Sequence, residues 1–154
     1  MSDRTVGGAS GDDCGAVPAL IDALHDRHFP VRNEAVRALT VIGDRRATQP
    51  LAQNTLKDPF FLIRVNTAIA LAKLQDLRAV APLVEALDDP DENIRKTARY
   101  ALTEITHAGV QDQDAAWKAW WEKNRERIAK EILEGRDSSG SGSGASEVDL
   151  GSGK

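Results

Sequence analysis

Asp26, Asp58 and Asp89 each stand six positions ahead of an arginine, respectively Arg32, Arg64 and Arg95. A carboxylate and a guanidinium at a fixed spacing are equipped for bidentate pairing, which ties chain segments together. Other reactive residues are sparse. His25 and His28 lie three apart, a spacing that can begin a metal site, but no Cys or carboxylate at matched spacing in a neighbouring segment completes a ligand set. Cys14 has no general base fixed beside it, which argues against a nucleophile. Trp117, Trp120 and Trp121 fall within five residues. They read either as a stacking platform for a base or other planar ligand or, at helical spacing, as core. The residues therefore predict no catalytic, cofactor or metal site, and no enzyme.

The elements that carry the Asp and Arg residues are themselves repeated. Leu24, Leu56 and Leu87 recur at steps of 32 and 31 residues, and Leu39, Leu71 and Leu102 do the same. Such a period marks a solenoid, in which each unit buries its apolar face on its neighbours. Each unit reads as two helices. Val17, Leu20, Ile21 and Leu24 form one buried stripe, the segment His25 to Pro30 interrupts it, and Val31, Ala35, Leu39 and Ile42 resume it until Gly43. The second unit repeats this around Asp58 and Pro59, and the third around Asp88, Asp89 and Pro90. Pro18, Pro50 and Pro82 sit in the first turn of each first helix, where a missing N–H leaves nothing unpaired. No alternation of period two is sustained, so the fold is predicted to be all-α.

The stretches Ala16 to Leu24, Val31 to Leu39 and Ile42 to Asp44 resemble HEAT-like repeats, and more narrowly the short bacterial kind of the phycobilisome lyases. The likeness covers residues 16 to about 109. It implies a right-handed α-solenoid of about three helix pairs, and it makes the Asp/Arg pairs a structural ladder tying adjacent units through their turns. A Trp-x-x-Trp-Trp helix is also familiar at the end of such arrays, which favours a capping role for Trp117, Trp120 and Trp121 over a platform. The resemblance does not fix a reaction, because bilin lyases, DNA glycosylases, hydroxylases and plain scaffolds share the architecture. The hydroxylases carry His-Glu pairs, and this sequence has no His-Glu dipeptide.

These readings divide the chain into a leader at 1–15, a solenoid at 16–134 whose capping helix spans 114–134, and a Gly/Ser-rich tail at 135–154. Both ends have compositions that favour flexibility. Asp114 is placed to cap the last helix. A net charge of −4 argues against a protein whose main work is binding nucleic acid. No apolar run spans a bilayer and no secretory core is visible, so a cytoplasmic protein with no membrane partner is expected, and a single cysteine suits a reducing compartment.

What remains is surface. In arrays of this kind the second helix of each unit lines the concave side, which points Asn33, Arg37 and Thr40, then Val65, Ile69 and Lys73, then Lys96, Tyr100 and Glu104 into a groove. An apolar centre at Val65, Ile69 and Tyr100, flanked by Arg37, Lys73 and Lys96, has the composition of a recognition patch, although Val65 and Ile69 could equally fill space between units. Phe60 and Phe61, with Phe29 in the place equivalent to Phe61, give a second candidate on the turn rim, exposed to a partner or folded under the turn. The expected function is a non-catalytic scaffold holding a protein or peptide, with a bilin-lyase subunit as the alternative and nucleic-acid binding behind both.

Overall fold

The computed structural model describes residues 15–135, and within them every regular element is helical. The leader with Cys14 and the tail beyond Gly135 lie outside the described residues. Helix α1 covers residues 15–23. It is followed by α2 (Phe29–Ile42), α3 (Thr48–Gln53), α4 (Phe61–Leu74), α5 (Val80–Glu85), α6 (Glu92–Thr106) and α7 (Asp114–Leu133). The described residues thus form three helix pairs, α1/α2, α3/α4 and α5/α6, followed by a single long helix. The second helices make one layer, in which α4 packs against both α2 and α6.

Packing follows the leucine period. Leu39, Leu71 and Leu102 are all fully buried, as are Ile63 and Ile94, and they join Leu51, Leu83 and Leu87 in one continuous core. Each second helix ends on a left-handed residue: Gly43 at φ 71°, Gln75 at φ 53° and His107 at φ 57°. Gly43 donates its N–H to the Leu39 carbonyl and His107 to that of Thr103, which satisfies end carbonyls the helix would otherwise leave open.

The first helices of the second and third units are shorter than the stripe spacing suggests. Both α3 and α5 are six residues long and are flanked by 3-10 turns, at Arg45–Ala47 and Thr55–Lys57, then Leu77–Ala79 and Ala86–Asp88. Asp44 and Asp76 start these segments, accepting from the backbone N–H of Arg46 at 2.8 Å and of Arg78 at 3.0 Å. Their carboxylates also bind the guanidinium groups of Arg46 and Arg78, both at 2.7–2.8 Å. Asp76 is fully buried; burial alone would raise its pKa, but the Arg78 side-chain and backbone hydrogen bonds outweigh that and hold the carboxyl below its ordinary value.

Helix α7 lies against α5 and α6. Trp117 and Ile128 are buried there, while Trp120, Trp121 and Ile132 are partly buried against the same core. Trp117 and Trp120 meet edge to face with ring centroids 5.5 Å apart. Asp114 does not act as the cap expected of it. It is the first helical residue after Gln113, and its carboxylate is taken instead by Arg95 at 3.2 Å and by Arg99. Arg99 stands in register with Val36 and Ala68, two fully buried apolar residues of the earlier units. The third unit therefore ends its core on an ionic cluster, in which the buried Arg99 also holds Asp112 at 2.6 Å. Burial opposes the charge on Arg99, yet the two aspartates raise its pKa.

Candidate functional site

The repeated Asp and Arg residues lie at the turns between first and second helices. Each arginine grips its own turn through the backbone: Arg32 donates to the Asp26 carbonyl at 2.9 Å, Arg64 to the Asp58 carbonyl at 2.7 Å and Arg95 to the Asp89 carbonyl at 2.7 Å. Each also reaches forward with its remaining nitrogens. Arg32 holds the Asp58 carboxylate at 2.6 and 3.1 Å, and Arg64 Nε stands 2.9 Å from Asp89 Oδ2. That second link is less well aligned, because the Arg64 Nε–H has no acceptor in line and Nη2 lies 3.4 Å from Oδ1. Arg95 reaches Asp114 of α7. The arginines of these pairs are thus engaged in holding their own turns and the unit or helix that follows.

The second-helix layer presents three parallel stripes away from the core. The register aligns Asn33, Val65 and Lys96 in one row, Arg37, Ile69 and Tyr100 in the next, and Val41, Lys73 and Glu104 in a third, with Thr40 one position short of it. Val65 and Ile69 are half-buried, Arg37, Lys73 and Lys96 are exposed, and Tyr100 is 53% exposed. The rows are partly tied to themselves. Asn66 donates to Asn33 at 2.8 Å between α4 and α2, the Tyr100 hydroxyl lies 3.3 Å from Glu104, and Arg37 stands 3.9 Å from Glu34. Leu62, 46% exposed one turn before Val65 and Asn66, extends the α4 stripe toward the turns. The sequence reading passed over it, although Leu62, Val65, Ile69 and Lys73 share one helical spacing.

The rim aromatics lie open. Phe29 stacks on Phe60 with centroids 4.3 Å apart and planes 18° from parallel, and the Arg32 guanidinium sits 5.9 Å from the Phe60 ring. The Asp58 carboxylate accepts from the Phe60 N–H at 3.0 Å and so fixes this turn. Phe61, which the repeat register matches to Phe29, instead points into solvent at 51% exposure beside Leu62. Phe61, Leu62, Val65 and Ile69 thus place exposed and half-buried apolar surface along a single helix.

The family model for HEAT repeats matches residues 5–64 and again residues 50–134. This chain belongs to the HEAT-repeat family. The match is to the repeat itself and carries no narrower subtype. No curated protein matches the chain. Within the HEAT array, the described residues hold no cluster of three or more His, Cys, Asp or Glu arranged to bind a metal ion, and His25, His28 and His107 are all exposed. Among the same residues no helix is long and apolar enough to cross a membrane.

Proposed function

We propose that this HEAT array is a non-catalytic scaffold that holds a protein or peptide against its second-helix face, centred on α4. One observation carries the reading: α4 is apolar on its outward stripe as well as its inward one. Leu62, Val65 and Ile69 stand where α2 has Pro30, Asn33 and Arg37 and where α6 has Asn93, Lys96 and Tyr100. An apolar strip centred on the middle helix and rimmed by Arg37, Lys73, Lys96 and Tyr100, with the exposed Val41 of α2 in the row of Lys73, has the make-up of an interface with a desolvated centre and a polar edge. The cationic rim favours a partner segment carrying acidic residues beside its apolar anchors. In the same reading α7 closes the far end of the array, with Trp117 as its plug.

A photo-reactive side chain at position 69 tests this in extract of the source cell, with position 22 on α1 as the control. Cross-linking of one protein species from position 69, weakened about tenfold or more by Tyr100→Ala, supports the reading. Capture from position 22 with none from position 69 would move the site to the other face.

A further inference from the structure

The three second helices do not bury the same positions. Val31, Ala38 and Ile42 of α2 stand in register with Ile63, Ala70 and Leu74 of α4 and with Ile94, Ala101 and Ile105 of α6. The six residues of α4 and α6 are at most 3% exposed, whereas Val31 and Ile42 are 40% and 44% exposed and Ala38 is half-buried. Because α6 is the last second helix and still covers these positions, the cover comes from the side of the preceding unit. The first helices agree. Ala16 and Ala19 are exposed, although Thr48 and Leu51 in α3, and Val80 and Leu83 in α5, are fully buried.

Among the described residues the polar half of the same contact is also unfilled. Asp58 and Asp89 each receive an arginine from the preceding unit. Asp26 faces no arginine side chain across a unit boundary among the described residues. Its carboxylate accepts from the His28 backbone at 2.9 Å and lies 3.1 Å from the His28 ring, both within its own turn.

The geometry points to this end of the array as a docking surface for one further helix pair of the same repeat type, whose second helix covers Val31, Ala38 and Ile42 and whose ladder arginine reaches Asp26. The molecule contains two examples of that contact, α2 against α4 through Arg32 and Asp58, and α4 against α6 through Arg64 and Asp89. A second copy stacked head to tail does not supply it, since Arg95 is held by Asp114 and α7 lies across α5 and α6. This surface is separate from the outward stripe of α4, so either assignment can fail without the other.

The test lengthens the full chain by one unit: a copy of residues 44–79 inserted before Ala16, which brings the copy of Arg64 opposite Asp26 and the copy of Ala68, rather than an Arg99 without its aspartates, into the new joint. The expected result is a Tm several degrees higher, slowed amide exchange around Val31 and Ile42, and a clear loss of Tm on Asp26→Ala that the original chain does not show. A lengthened chain that melts lower or in two steps, or in which Asp26→Ala is silent, overturns the proposal. Two measurements on the unaltered sequence can overturn it as well. A dimer in sedimentation velocity that Ile42→Asp abolishes would assign the surface to a second copy. Loss of Tm and of protection at Val31 and Ile42 on deleting residues 1–14 would assign it to the leader.

Discussion

Arg32 and Asp58 meet across a unit boundary, 26 positions apart, with the Arg32 Nε donating to Oδ2 at 2.6 Å while the same guanidinium holds the Asp26 carbonyl of its own turn. Both side chains are largely withdrawn from solvent, and Asp58 additionally accepts from the Phe60 N–H. One carboxylate therefore fixes a turn, orients an aromatic and joins two units.

Asp58→Ala removes all three contacts and leaves a withdrawn guanidinium without its acceptor, so it is expected to cost about 1 to 3 kcal/mol. Asp26→Ala, at the equivalent but open position, is expected to stay within about half a kcal/mol. Urea unfolding of both variants checks the contrast; equal losses would mean that the inter-unit link contributes nothing.

Left-handed caps offer a second comparison. A Cβ at Gly43 would meet nothing within 4 Å, so Gly43→Ala carries only the conformational cost of φ 71°, about 1 kcal/mol. His107 occupies the same backbone region with an exposed side chain, so His107→Gly is expected to stabilise by a similar amount. Thermal melts of the two variants should move in opposite directions.

Acid should weaken the protein through Asp44 and Asp76. Arginine and backbone hydrogen bonds hold both carboxyls below their ordinary value of 3.8, so the unfolded chain binds protons that the folded one refuses. Their contribution is fully present above that value and is lost as pH falls through the lowered folded pKa. Stability measured by urea unfolding should be flat with respect to these groups from neutrality to about pH 5 and decline below about pH 4. Asp76→Asn should be less stable at neutral pH and show a shallower acid decline.

Helix α7 provides the fourth expectation. Trp117→Ala should cost about 3 to 5 kcal/mol because its ring is wholly buried, whereas Trp121→Ala, half-buried, should cost less. Arg99→Ala should speed amide exchange along α7 more than along α2, since Arg99 reaches Asp112 and Asp114 at the start of that helix. Unchanged exchange in α7 would show that packing alone holds it.

The repeat architecture was legible because its signal is redundant: two sets of three leucines and three Asp and Arg pairs report the same period. Features that depend on what lies across a boundary were not legible in this way. Nothing local marks Arg99 as the replacement for a core Val36 or Ala68; only its partners Asp112 and Asp114 make a buried guanidinium tolerable there. The Asp44 and Asp76 starts did leave a signal, the recurrence of Asp-x-Arg-Ala at 44–47 and 76–79, which marks a carboxylate accepting from the backbone N–H two residues on. At the candidate site, sequence spacing placed Arg37, Ile69 and Tyr100 in one row, but the stacking of Phe29 on Phe60 rather than Phe61 follows from the offset between neighbouring turns.

The unequal alignment of the two inter-unit links has a mechanical consequence. A pull along the solenoid loads successive boundaries in series, so each must bear the whole force and the least braced one governs extension. Arg32 meets Asp58 with two directed hydrogen bonds, whereas Arg64 meets Asp89 with its Nε–H out of line, beside a cleft of about 320 Å³ between the second and third turns. Under tension the Arg64 and Asp89 link would yield before the Arg32 and Asp58 link, and the load at that boundary would pass to the packing of α4 on α6 and to the Gln75 side-chain amide, which donates to the Glu104 carbonyl at 2.9 Å.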